Sequence, residues 1–104
     1  MMLKRITLIV VMVACASAFG ANSIENYQKA CDLNDGVGCT LLGNSYYSGN
    51  GVKQDYFKAN EYFKKACDLN YGGGCAFLGN SYHYGLGVNQ DLFKANEYFK
   101  KGVI

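Results

Sequence analysis

The sequence predicts an all-α protein, a short solenoid of helical hairpins, and three observations carry that reading. Sliding the chain by 36 residues lays Lys29–Lys65 over Lys65–Lys101 with most positions identical, the mark of a stacked repeat. Within each copy, apolar residues recur at the spacings of an amphipathic helix. No proline occurs anywhere in the 104 residues, so nothing forces the helices to break. Half of the residues are hydrophobic and 17% are charged, which excludes a disordered tail. A formal net charge of +2 is too small to imply a nucleic-acid or acidic-lipid partner.

The chain opens on a basic start, Lys4 and Arg5, followed by the apolar stretch Ile6–Ala14 and by Ala16-Ser17-Ala18. This three-part pattern is that of a secretory signal peptide over residues 1–18, cleaved after Ala18. The apolar stretch is too short for a helix that crosses a bilayer core of about 30 Å. Met12-Val13-Ala14-Cys15 loosely matches a lipoprotein box in which Cys15 would be acylated, although Met12 stands where leucine is expected. Cleavage after Ala18 removes Cys15, Lys4 and Arg5, and leaves four cysteines and a neutral chain.

A repeat domain is expected over residues 22–104, as a partial repeat at 22–36 and two copies at about 37–72 and 73–104. A leading helix is expected at about 23–34, with Asn22 and Glu25 spaced as a capping box. A short helix follows at about 38–48 and closes on Gly49-Asn50-Gly51. A longer helix starts from Asp55 as N-cap. It places Phe57, Ala59, Tyr62, Phe63 and Ala66 on an apolar face and Lys58, Glu61, Lys64 and Lys65 outside. It should stop near Leu69-Asn70, before the breaker run Gly72-Gly73-Gly74. The second copy repeats this, with a short helix at about 74–84, Gly85-Leu86-Gly87, and a last helix from Asp91 to about Lys101.

Leu42-Gly43-Asn44-Ser45-Tyr46, Gly49-Asn50-Gly51-Val52, Asp55, Lys58-Ala59 and Tyr62-Phe63-Lys64-Lys65-Ala66 resemble the Sel-one-like repeat, a relative of the tetratricopeptide repeat. The second copy carries the same pattern at Leu78-Gly79-Asn80-Ser81-Tyr82, Gly85-Leu86-Gly87-Val88, Asp91 and Lys94-Ala95. The resemblance implies an α/α right-handed superhelix. More narrowly, the cysteines in A-C-D-L-N and G-x-G-C are similar to those of the Helicobacter cysteine-rich protein family, which implies a disulfide within each repeat.

Cys31 and Cys39 are eight apart, as are Cys67 and Cys75. In each pair one cysteine closes a helix and the next opens another, so a local bond would staple a hairpin where the backbones are already close. Zinc binding would need closer spacing within each pair, and redox catalysis a C-x-x-C or an activated thiol. Neither pattern is present, and no metal or other cofactor is expected.

Comparing the copies locates a candidate binding face. Around the short helix they differ at Thr40/Ala76, Leu41/Phe77, Tyr47/His83 and Ser48/Tyr84, with Asn44/Asn80 between. At 100° per residue these positions share one side, while Leu42, Gly43, Ser45 and Tyr46 occupy the other. In solenoids of the resembled type the short-helix row lines a concave groove, so Asn44, Tyr47, Ser48, Asn80, His83 and Tyr84 are the candidate ligand-binding residues. Amide and aromatic groups suit a protein or peptide ligand. His83, the sole histidine, reads as a surface contact, and Glu61 with Lys64 and Lys65 as a solvated face with weak pairs.

The resembled cysteine-rich family implies penicillin binding and slow β-lactamase activity, with a β-lactam as a possible ligand. The residues give this no independent support, because no serine has the lysine three positions on that a serine β-lactamase nucleophile motif requires. Two expectations follow. One is a secreted or periplasmic repeat module that binds peptide in its groove; the other is a weak β-lactamase with unidentified catalytic residues. After Lys100-Lys101 comes Gly102-Val103-Ile104, where another A-C-D-L-N turn would continue the pattern. Self-association or a partner is therefore expected at the apolar side of the last helix.

Overall fold

The computed structural model describes residues 22–103. The signal-peptide and Cys15 readings lie outside that range. Five helices follow one another: α1 (Asn22–Asp32), α2 (Gly36–Ser48), α3 (Tyr56–Asp68), α4 (Gly72–Tyr84) and α5 (Leu92–Gly102). Each packs against its neighbours in the chain, and α2 also touches α4. Helices α2 and α4, which carry no Asp, Glu, Lys or Arg, thus touch each other and alternate along the chain with the charged helices α1, α3 and α5. The expected difference in length is absent, because α2, α3 and α4 have 13 residues each and α1 and α5 have 11.

The caps explain where the helices begin and end. Asp55 and Asp91 hold extended backbone and accept hydrogen bonds from the amides of Lys58 and Lys94 at 3.1 Å, so both N-caps fall where the sequence put them. Helices α2 and α4 close on Gly49 and Gly85 in the left-handed region, φ 72° and 68°, where glycine avoids the Cβ penalty. The ends of α1 and α3 differ. There Asn34 and Asn70 take the left-handed position, φ 64° and 63°, and the amides of Asp35 and Tyr71 reach back to the carbonyls of Ala30 and Ala66.

Both α2 and α4 begin two residues before their expected starts at Gly38 and Gly74. The run Gly72-Gly73-Gly74 is the first turn of α4 and not a breaker. Packing is the reason. A Cβ on Gly38 would stand 2.5 Å from the Ala30 Cβ, and one on Gly74 2.5 Å from the Ala66 Cβ. Glycine is kept so that the two helices can touch backbone to backbone, a tertiary gain that outweighs its poor helix propensity. That approach is what the disulfides fasten: Cys31 pairs with Cys39 and Cys67 with Cys75, at Cα separations of 4.4 and 4.5 Å. With repeats at 22–36, 37–72 and 73–104, each bond therefore joins one repeat to the next (α1 to α2, α3 to α4) and does not lie within a repeat.

The core has two parts. Cys31, Cys39, Leu42 and Ala66 are buried together with Ile24, Tyr27, Tyr46 and Tyr62 packed around them. Ala59, Phe63 and Leu78 form the second part, between the repeats, with Tyr47, Phe77 and Tyr82 against them. Phe57 does not join the apolar face expected of it and is 64% exposed. The loop after α4 crosses the first turn of α3 so closely that a Cβ on Gly87 would meet the Tyr56 carbonyl carbon at 2.8 Å and the Phe57 nitrogen at 2.9 Å. This loop covers the backbone of Phe57 and leaves its ring outside.

The charged face is also less uniform than the sequence suggests. Lys65 is half-buried, and its ammonium donates to the Cys31 carbonyl at 2.8 Å. Lys58 and Lys94 lie over the rings of Tyr46 and Tyr82. The ion pair found among the described residues is Lys64–Asp68 at 3.1 Å, rather than one between Glu61 and the neighbouring lysines.

Candidate functional site

On α2 the exposed side chains are Val37, Leu41, Asn44 and Ser48, at i, i+4, i+7 and i+11, which is one stripe of a helix. At the equivalent positions on α4, Gly73 and Phe77 are half-buried and Asn80 and Tyr84 exposed, flanked by exposed Ala76 and His83. Asn44, Ser48, Asn80, His83 and Tyr84 are all exposed. Ser48 turns back to donate to the Asn44 carbonyl at 2.9 Å. His83 meets Tyr84 edge to face, with ring centroids 4.6 Å apart.

Tyr47 stands apart from the other five. Its ring is half-buried between the repeats, 5.2 Å from Tyr56, 6.3 Å from Phe63 and 6.5 Å from Phe77. Phe77 in turn stacks on Phe63 at 4.8 Å. Tyr47 and Phe77 therefore meet where α2 and α4 touch and make an aromatic floor between the two stripes. Thr40, which shares the variable side in sequence, is buried, and its hydroxyl donates to the Gly36 carbonyl at 2.8 Å.

Sequence comparison of the copies missed Val37 as a candidate and named Leu41 only as a difference. Their exposures, 45% and 40%, make them the apolar end of the α2 stripe. The i, i+4, i+7, i+11 spacing was the available signal, but it reads equally well as a buried face. The neighbours that bury the opposite side of α2 decide between the two.

Electrostatically the face is bare. Neither α2 nor α4 contains an Asp, Glu, Lys or Arg. The side-chain amides of Asn44 and Asn80 make no hydrogen bond among the described residues. Open clefts lie away from this face as well. An open cleft of about 470 Å³ lies beside the second disulfide, lined by Cys67, Asp68, Asn70, Cys75 and Lys101. Two smaller ones, of about 380 and 360 Å³, sit at equivalent loops against Tyr46 with Lys58 and Tyr82 with Lys94. None of the three is lined by a serine or a histidine. Among the described residues no three His, Cys, Asp or Glu side chains gather as metal ligands.

Two disulfides within so short a chain suit an oxidising, extracytoplasmic setting. No helix among the described residues is long and apolar enough to cross a membrane.

Comparison with known proteins places this architecture. The model of the Sel1 repeat matches residues 21–35, 36–71 and 73–103. A 42-residue stretch, 40% of this chain and 17% of the relative, is 51% identical to a Helicobacter pylori protein named Beta-lactamase HcpA. Among solved structures, Helicobacter pylori cysteine rich protein B is 41% identical over 77% of this chain and 60% of its own, with a TM-score of 0.74. A protective antigen of uropathogenic Escherichia coli that displays an SLR fold is 30% identical, with a TM-score of 0.77 over 80% of this chain and 18% of its own. A Sel1 repeat protein from Oxalobacter formigenes is 28% identical over 77% of this chain and 61% of that one, with a TM-score of 0.74. The chain thus spans less than two thirds of the length of each of these relatives. With the repeat matched across both hairpins and the leading helix, the chain belongs to the Sel1 repeat family.

Proposed function

We propose that this protein is an exported binding module that holds a peptide segment of a partner along the face formed by α2 and α4. The observation that supports it most is the paired stripe. Asn44 and Asn80 stand exposed at equivalent turns of adjacent helices, with Val37, Leu41 and Phe77 toward one end, Ser48, His83 and Tyr84 toward the other, and the Tyr47–Phe77 contact as floor. Repeat solenoids use such extended faces for protein binding. Export follows from the disulfides together with the signal-peptide pattern at 1–18, which the mass of the mature N-terminus would test. An acylated Cys15 would overturn cleavage after Ala18 in favour of a lipid anchor, with export retained.

The binding reading is tested by selecting displayed peptides on immobilised, disulfide-intact protein and repeating the capture with an Asn44→Ala/Asn80→Ala variant and with Leu41→Lys. Loss of the selected peptides on both variants, with unchanged circular dichroism, is the expected result. Capture that is indifferent to both substitutions would mean that the face is not the site.

A second reading rests on the relative named a β-lactamase. Under it, the same face binds a β-lactam and hydrolyses it slowly. Nitrocefin turnover by the oxidised protein that disappears in Tyr47→Ala or His83→Ala would favour this reading over peptide binding.

A further inference from the structure

We infer that the segment held between α2 and α4 is a neutral one, a stretch of polypeptide without charged side chains where it lies on the face; this rests on the groove reading and specifies its ligand. The distribution of charge carries the argument. Every lysine, aspartate and glutamate of the described chain lies on α1, α3, α5 or the connections between helices, and none on α2 or α4. The lysines of the helices that follow are engaged off the face: Lys58 and Lys94 lie over Tyr46 and Tyr82, which pack against the core, while Lys65 donates to the Cys31 carbonyl and Lys53 lies in the connection after α2. Asp35, at the start of α2, accepts from the Val37 amide at 3.0 Å.

Between Asp35 at the start of α2 and His83 in the last turn of α4, a ligand carboxylate or ammonium laid on this face would lose water and find no counter-charge, which is unfavourable however well the rest of the ligand fits. What the face offers instead matches a peptide backbone and small apolar side chains. Each free carboxamide, on Asn44 and on Asn80, presents a donor and an acceptor together, the complement of a peptide unit. Val37, Leu41 and the half-buried rings of Tyr47 and Phe77 supply apolar area between and beside them. Selectivity then comes from the cost imposed on charged competitors rather than from an attraction, and binding should be nearly insensitive to ionic strength because no ion pair forms.

The test uses the full, oxidised chain and three acetylated, amidated short peptides, one built from Gly, Leu, Asn and Val and two in which its Asn residues are replaced by Asp or by Lys. Binding is measured by calorimetry at low and high salt, and the face is located by amide chemical shifts. An oligosaccharide of N-acetylglucosamine serves as a neutral non-peptide control. The neutral peptide is expected to shift amides of α2 and α4 and to bind about tenfold more tightly than either charged version, with an affinity that changes less than about twofold with salt. Asn80→Asp should reverse part of this preference, toward the Lys peptide. If a charged peptide binds the same face as well or better, or its binding falls steeply with salt, the neutral-ligand inference fails while the groove reading survives. If no peptide shifts α2 or α4, or only the oligosaccharide does, the groove reading fails and the inference with it.

Discussion

Phe57 and Phe63 belong to the same helix, yet one ring is 64% exposed and the other fully buried against Phe77. Phe63→Ala should cost about 3–5 kcal/mol, through lost burial and the cavity left behind. Phe57→Ala should stay within about 0.5 kcal/mol of the parent. Urea denaturation of the two variants checks this contrast, and equal losses would contradict the exposed placement of Phe57. Gly74 shows the opposite sensitivity. An added Cβ would meet backbone at the Phe63 oxygen (2.9 Å) and the Cys67 nitrogen (3.0 Å), and backbone cannot rotate aside. Gly74→Ala is therefore expected to destabilise by about 1–3 kcal/mol, although alanine is the better helix former.

Charge matters less at this scale. The hydrogen bond to the Asp68 carboxylate, and then its charge, hold the Lys64 ammonium above its ordinary value of 10.5. A cation whose folded value is raised contributes stability that is complete below its ordinary value and lost as pH rises through the raised one. That window is strongly alkaline and the pair is exposed, so stability near neutral pH should not move with this group.

Between elements, one hydrogen bond distinguishes the equivalent helices α3 and α5. Asn60 donates through Nδ2 to the Leu86 carbonyl at 2.7 Å, tying α3 to the loop that follows α4. Its counterpart Asn96 on α5 is exposed. Asn60→Ala should therefore cost about 1 kcal/mol and raise hydrogen exchange in the loop at 85–91, whereas Asn96→Ala should do neither. Loss of the N-cap in Asp55→Ala should cost a similar amount, about 1 kcal/mol, with α3 fraying from its first turn. The sequence shows Asn60 and Asn96 as the same residue in the same motif, FKANEYFKK. Only the stacking of one repeat on the next makes them different. The glycine run before Cys75 was misleading for a related reason: locally it reads as a breaker, while packing on Ala66 requires it to be helix.

For the molecule as a whole, two hairpins and a leading helix bury a small core, and the disulfides compensate. In the chain-entropy account each short closed loop contributes about 2–3 kcal/mol, so reduction with a dithiol should lower the melting temperature sharply and broaden the transition. A melting curve unchanged by reduction, with free thiols confirmed by mass analysis, would show that packing alone suffices. The 36-residue identity, the absence of proline and the paired cysteines determined the all-α class, the order of the helices, the N-caps at Asp55 and Asp91 and the local disulfides, because each of these depends on residues close together in the chain. Tertiary structure alone decided which of two identical phenylalanines or asparagines is used, where α2 and α4 begin, and that Tyr47 is floor while Val37 and Leu41 are surface. The physical reason is that a repeat encodes each face once, but burial depends on what is stacked against that face, and the stacked element lies a full repeat away in the chain.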